Sequence, residues 1–343
     1  MPSDTDSFDP RVPFLRAAGE AAGITPTQFQ AKGLRQVVRG VHVESSVVLD
    51  VTLRARAALL AAPNGAAVSR HTAARMWGAI VPDDWHTHVT TFWPKADVRR
   101  DQARARARAR GGGAGCSAAA RLLLEWGRMD VDGVDSRVSS DPWGVVSLRG
   151  MRVTSPLRTF LDLAEDLDLV DLVVLGDSLV RTTSVTPEEL VEGAATPGRY
   201  RRHARRAAAM VRAGVDSAPE TRLRLLLVLA GLPEPEVNIV IHDEDGVVLR
   251  RVDLGYRRQK VGVEYDGRHH AENDEQWAAD ITRREDFDDW SWRLVTVISP
   301  GLWKEPGTTL RRVCHALRQR GLSVHVTSDE WMRYFGRQFG KTA

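Results

Sequence analysis

Residues 252–270, VDLGYRRQKVGVEYDGRHH, decide how the last third of the chain is read. Val261, Val263 and Tyr265 share one face of an extended strand, and Gly262, Glu264 and Asp266 share the other, because successive side chains of a strand point to opposite sides. Two carboxylates thus project together. Asp253 interrupts the strand-like run just upstream, and the turn RRQK folds that run back so that Asp253 can oppose the pair from the neighbouring strand. Three half-buried carboxylates on one patch repel unless a cation lies among them, and hard divalent ions such as Mg²⁺ choose carboxylate oxygen and water. In phosphodiester cleavage such an ion polarises the phosphoryl oxygen, activates water and stabilises the leaving oxygen.

The flanks of this stretch are regular. SAPETRLRLLLVLAG (217–231) reads as a helix, with Ser217 able to cap it, Pro219 and Glu220 in the first turn, and Leu223, Leu226 and Leu227 on its apolar face. VNIVIH (237–242) reads as a strand, QWAADITRRE (276–285) as a helix and WRLVTV (292–297) as a closing strand. The order between 217 and 297 is helix, strand, hairpin, strand, helix, strand. Asp280 and Arg284 form an i, i+4 pair; with Arg283 they read equally as support for the acidic site, as phosphate contacts or as a solvated face. Trp292 reads as core.

The N-terminal part reads differently. RVPFLRAAGEAAG (11–23) predicts a short helix, and Thr25-Pro26 a second one that ends at Gly33. LRQVVRGVHVES (34–45) is split by Arg39-Gly40, the pattern of two strands and a tight turn. Helix, helix, hairpin is the outline of a small winged-helix module, in which Gln28, Gln30, Lys32 and Arg35 are the candidate DNA contacts. Two helices follow: TLRARAALLAA, stopped by Pro63-Asn64-Gly65, and SRHTAARMWG. WHTHVTTFW (85–93) alternates as a strand. His86 and His88 face one way on it, but neither a carboxylate nor a third histidine accompanies them at useful spacing, so no metal is expected there. Residues 99–115 repeat Arg every second position before a glycine run, which suits a mobile loop along phosphates or a solvated insertion. Ser155-Pro156 and Thr186-Pro187 each announce a further helix. The arginines between 199 and 212, among them Arg202, Arg205 and Arg206, make a basic helix that could meet phosphate.

Length and composition bound these readings. At 343 residues, and roughly 150 residues per domain, two or three domains are expected. A hydrophobic fraction of 43% with 27% charged residues excludes wholesale disorder. The pI near 9.1 with clustered Arg favours an acidic partner, nucleic acid first. Two distant cysteines, Cys116 and Cys314, argue against a disulfide framework or a zinc site and fit a reducing cytoplasm. No signal peptide or membrane span is expected.

The acidic spacing resembles the PD-(D/E)XK nuclease superfamily. SAPETRLR, VDL, VEYDG, HH, WAADITRRE and WSWRLVTV, in that order between about 217 and 301, look like its branch of small Vsr-like (very-short-patch-repair type) endonuclease domains. The resemblance implies a Mg²⁺ centre, with Mn²⁺ as an alternative ion. In it Asp253 is the central ligand, Glu264 and Asp266 fill the second acidic motif, and Glu220 is the acid of the first helix. The lysine usual two residues after the second acid is here Asp266, so His270 becomes the first candidate to activate water or protonate the leaving group, His269 the second, and Lys260 a weaker substitute. Over residues 10–195, RGVHV, RARAALLAAPNGAAVSRHTAARMWG and TSPLRTFLDLA look like the AbiEi-type antitoxin family of transcriptional regulators. That resemblance implies a winged helix followed by a second domain, and a toxin partner encoded nearby.

The expected fold is therefore α+β and multidomain. A winged-helix module (8–50) precedes an α/β middle domain (51–195) with the Arg/Gly-rich loop 99–115, a basic linker helix (196–216), a restriction-endonuclease-like domain with a mixed central sheet (217–325) and a tail (326–343). The expected function is Mg²⁺-dependent cleavage of DNA, with Arg283 and Arg284 among the phosphate contacts. The alternative is an antitoxin-like repressor whose nuclease-like domain is inactive.

Overall fold

The computed structural model describes residues 8–92, 129, 131–242, 245–267, 287 and 289–336. The protein mixes helices with strands gathered in three sheets. It divides into two compact units, residues 1–166 with 192–204, and residues 167–191 with 205–343. No helix among the described residues is long and apolar enough to cross a membrane.

In the first unit, strand Phe14–Leu15 (β1), helices Arg16–Ala21 (α1) and Pro26–Gln30 (α2), and strands Leu34–Val38 (β2) and Val41–Glu44 (β3) make an antiparallel sheet of order β1-β3-β2 with two short helices. The first helix starts later than its sequence suggests, because Phe14 is buried against the Phe29 ring and Leu15 pairs with Val41. The Thr25 N–H donates to Gln28 Oε1 at 2.7 Å, a capping box that starts α2. Arg39-Gly40 forms the two-residue turn, and Gly40 adopts φ +79, a left-handed conformation that tight hairpins need. Val38 and Val41 share one core with Ala57 and Ala58 of helix Val51–Ala61 (α3) and with Val89 and Val134.

The second sheet of this unit holds Ala67–Val68 (β4), Thr87–Phe92 (β5), Val134–Ser139 (β6), Val145–Leu148 (β7) and Met151–Thr154 (β8), in the order β6-β5-β4-β8-β7. It is mixed: β5/β6 and β4/β8 run parallel, β4/β5 and β7/β8 antiparallel. Helices Arg70–Met76 (α4) and Pro156–Leu163 (α5) pack on each other beside it. The loop 99–115 lies outside the described residues.

The second unit contains helix Leu169–Thr182 (α6), capped by Asp168, whose side chain accepts the Asp171 N–H. Helices Pro187–Ala195 (α7) and Arg201–Ala208 (α8), each of which the division of the chain cuts, follow in sequence, and then Ala218–Leu229 (α9) within the second unit. Its sheet is formed by Glu236–His242 (β9), Val248–Tyr256 (β10), Val261–Asp266 (β11) and Arg293–Ile298 (β12), in the order β12-β11-β10-β9. β9, β10 and β11 are antiparallel and β12 joins β11 in parallel. Helix α9 packs on β10 and β11, and helix Pro306–Gln319 (α11), which follows the short Ser299–Trp303 (α10), packs on β11 and β12. Leu223, Leu225, Leu226 and Leu227 are fully buried, each adding about 1.5–3 kcal/mol of hydrophobic stabilisation. Ile239, Ile241, Val252, Phe287 and Trp292 form one further core, so Trp292 is a core residue as its sequence context predicts. A Cβ on Gly262 would lie 2.9 Å from Val252 Cγ1, which is why the middle of β11 carries no side chain there.

Candidate functional site

The acidic residues of the second unit meet where two strands part. β10 and β11 pair from Tyr256↔Val261 through Leu254↔Val263. One residue further, the Asp253 side chain replaces a backbone carbonyl: Asp253 Oδ2 accepts the Tyr265 N–H at 2.9 Å. Tyr265 is the residue between Glu264 and Asp266, so Asp253 is tied to the stretch of β11 that carries the other two carboxylates. Glu264 is only 3% exposed, and Asp253 and Asp266 are half-buried. Among the described residues, however, these three are not drawn into one group with all ligand atoms within 4.8 Å. They stand around the fork rather than closing on a point.

Glu220 is placed in the first turn of α9 and is committed to its start. Ser217 Oγ donates to Glu220 Oε1 at 2.7 Å, and the Asp216 N–H donates to Glu220 Oε2 at 3.0 Å. The Ser217 oxygen in turn accepts the Glu220 N–H. Lys260 is exposed, with φ +52, at the opposite end of β11 from Asp266. At roughly 3.3 Å per residue it is about 13 Å along the strand from Glu264, so it cannot stand in for the missing lysine. His269, His270, Asp280, Arg283 and Arg284 lie outside the described residues.

Among the described residues, the candidate DNA contacts are on the surface, in different states of engagement. Gln30 and Lys32 are exposed; Gln28 is exposed but its Oε1 serves the α2 cap, and Arg35 donates to the Val47 carbonyl. In α8, Ala204, Ala207 and Ala208 turn inward while Arg202, Arg205 and Arg206 are exposed. Arg206 pairs with Glu330 at 2.6 Å.

The first unit holds a cluster that linear spacing conceals. His71 on α4, Asp84 in the loop before β5 and His88 on β5 bring one ligand atom each within 4.8 Å of one another. His71 is 7% and His88 1% exposed, and their rings lie 4.9 Å apart. Burial, then the charges of Arg70 and His71, push His88 down to about 4, so it is neutral near pH 7. Burial also lowers His71. Burial works to raise Asp84, but hydrogen bonds from His86 outweigh it and hold the carboxyl below its usual range. His86, the other half of the sequence's histidine pair, stacks on Trp85 and bonds Asp84 instead of joining His88. The expectation that His88 has no helpful carboxylate or third histidine is thus corrected: Asp84 lies four residues before it, and His71 arrives from a helix seventeen residues upstream. The detectable signal was a His immediately inside a helix that packs on a strand carrying an inward His.

Arg70, next to this cluster, is 5% exposed at φ +52 and bonds Asp135 at 2.9 Å and Asp166 at 2.8 Å. It also lines a cleft of about 640 Å³, shared with Arg137, Arg158, Arg199, Asp162 and Glu165. The cleft's arginines are paired: Arg158 with Asp162 at 2.8 Å, Arg137 with Asp166 at 3.1 Å, Arg199 with Glu165 at 3.7 Å.

No family model matches the chain, and no solved structure matches it significantly. Two curated relatives, both described as uncharacterized proteins of Mycobacterium tuberculosis (strains CDC 1551 and H37Rv), are 26% identical over 171 residues, covering 49% of this chain and 62% of each relative. The chain thus spans about three fifths of the length of the curated relatives it matches.

Proposed function

We propose that this is a DNA-binding protein whose C-terminal part is a divalent-metal-dependent endonuclease of the Vsr-like PD-(D/E)XK kind, acting in phage defence or repair. The observation that carries the reading is the fork at Asp253, whose carboxylate accepts the N–H of Tyr265, the residue between Glu264 and Asp266, at 2.9 Å. A helix packed on a mixed sheet beside that fork, in the order helix, strand, strand, strand, supports it.

In this reading Asp253, the buried Glu264 and the half-buried Asp266 make up a hard-oxygen donor set for Mg²⁺ or Mn²⁺. The ion, when bound, supplies charge stabilisation at the phosphoryl and leaving oxygens. Glu220 acts by fixing the start of α9, which packs on β10 and β11. His270 takes the proton from the attacking water or gives one to the leaving oxygen. The N-terminal sheet and its two helices, read as an AbiEi-type winged helix, deliver the enzyme to DNA through Gln30 and Lys32.

A second reading has two observations in its favour. Both Glu220 oxygens are taken up by the helix cap, and position 266 lacks the usual lysine, as in a domain that only holds DNA. The chain would then be an antitoxin-like repressor paired with a toxin encoded nearby. Incubation of plasmid, modified, mismatched and phage DNA with Mg²⁺ separates the two. Nicking or linearisation by the wild type and not by Asp253→Ala supports the nuclease. Absence of cleavage on every substrate, with promoter retention unaffected by Asp253→Ala, selects the repressor.

A further inference from the structure

We infer that the first unit contains a second metal site, distinct from the acidic fork, in which His71, Asp84 and His88 hold a borderline transition metal of the Zn²⁺ type. The inference begins with two buried nitrogens. His71 Nδ1 and His88 Nε2 are enclosed and make no hydrogen bond among the described residues. Leaving a buried polar atom unsatisfied costs about 1–3 kcal/mol, so two in one cluster require a reason. Both belong to imidazoles whose rings lie 4.9 Å apart, and a carboxylate stands beside them.

The distances suit an ion. Ligands roughly 2.0–2.2 Å from a tetrahedral ion stand about 3.4 Å apart. His88 Nε2 lies 3.4 Å from Asp84 Oδ2. The full trio spans up to 4.8 Å, which small side-chain rotations close. Two imidazole nitrogens with one carboxylate select Zn²⁺, Co²⁺ or Ni²⁺ over Mg²⁺ or Ca²⁺.

The surroundings are those of a supported ligand set. Asp84 Oδ1 accepts the His86 N–H at 2.8 Å and contacts His86 Nδ1 at 2.8 Å, which holds the carboxylate with its second oxygen toward His88. Thr72 Oγ1 accepts the His88 N–H at 2.8 Å and fixes the backbone of that ligand. Asp135 Oδ2, 3.7 Å from His88 Nε2, and Asp166 set negative charge against Arg70, so the neighbourhood accepts a cation. Asp84 is 28% exposed, which gives the ion a route from solvent and leaves a coordination position to water. An ion here ties the loop before β5 to α4 and β5.

The test is titration of the full-length, chelator-stripped protein with Zn²⁺, and separately with Co²⁺, followed by thermal melting and visible absorption. The wild type is expected to bind one tight equivalent, to melt at higher temperature with Zn²⁺, and to give the intense visible bands of tetrahedral Co²⁺. Asp253→Ala keeps all three responses, whereas Asp84→Asn and His71→Gln weaken Zn²⁺ binding by about 100-fold or more. Should a variant fail to fold, histidine-ring NMR of the wild type decides: Zn²⁺ must shift the His71 and His88 resonances and Mg²⁺ must not. Equal Zn²⁺ uptake by wild type and Asp84→Asn, loss of the site in Asp253→Ala, or unshifted His71 and His88 rings would overturn the assignment.

Discussion

Each unit buries an arginine, and the two arginines do different work. In the second unit Arg224 is fully buried and meets Asp177 at 2.9 Å, which also accepts from Thr221 Oγ1 and from the Arg212 N–H, both at 2.8 Å. That pair is confined to the packing of α6 against α9, and the acidic fork is left to oxygen donors. In the first unit Arg70 stands against the cluster itself, and its charge helps to keep His88 neutral. One unit therefore presents hard oxygen donors, the other neutral nitrogen donors. Ligand chemistry, more than residue count, decides which ion each site would take.

The largest effect should come from breaking the frame of the second unit. Asp177→Ala leaves the buried Arg224 with Glu234 alone, at 3.1 Å, and strands the Thr221 hydroxyl and the Arg212 N–H, and is expected to cost about 3 kcal/mol in denaturant unfolding. A loss under about 1 kcal/mol would show that water reaches Arg224 and that the contrast between the arginines is misplaced. Next is Asp253→Asn, whose amide oxygen can still accept the Tyr265 N–H. Cleavage should fall by roughly 10²–10³-fold, the scale of removing one electrostatic stabiliser, with stability unchanged. A parallel loss of stability would make Asp253 a strand clamp instead. Ser217→Ala should cost about 1 kcal/mol through the lost cap while leaving cleavage intact, because Glu220 is engaged at the helix start. A strong loss of activity at unchanged stability would return Glu220 to the reacting centre.

The smallest effect separates the units by pH. His42 lies between Phe14 and Phe29, and burial followed by the charge of Arg16 lowers it from 6.5. Its folded form therefore binds a proton less readily than its unfolded form. Stability from the neutral ring is complete above pH 6.5 and is lost as pH falls below it. The first unit should loosen in acid, and His42→Phe should reduce that loss but not abolish it, since His71 and His88 are lowered in the same sense. An identical acid profile for His42→Phe would contradict this.

The legibility of the two regions follows from how the chain brings their residues together. Glu264 and Asp266 are neighbours by strand parity, and a short turn returns Asp253 to them, so local pattern sufficed. Helix starts at Ser155-Pro156, Thr186-Pro187 and Ser217 were legible because caps are local, as was the hairpin at Arg39-Gly40. The His71, Asp84 and His88 cluster was not legible, because a helix, a loop and a strand must dock before it exists. Lys260 misled for the opposite reason: parity gave it the right face, but the turn leaves it at the wrong end of β11. Glu220 could be placed on α9 from sequence, yet its capture by Ser217 and Asp216 depends on side-chain geometry.

A metal centre at the Asp253 fork would be seen directly by anomalous diffraction from crystals soaked in Mn²⁺. The expected result is a peak beside the Asp253 and Glu264 carboxylates, with the Tyr265 N–H still on Asp253. A fork without Mn²⁺ in a wild type that cleaves DNA, or a peak elsewhere in the molecule alone, would contradict it.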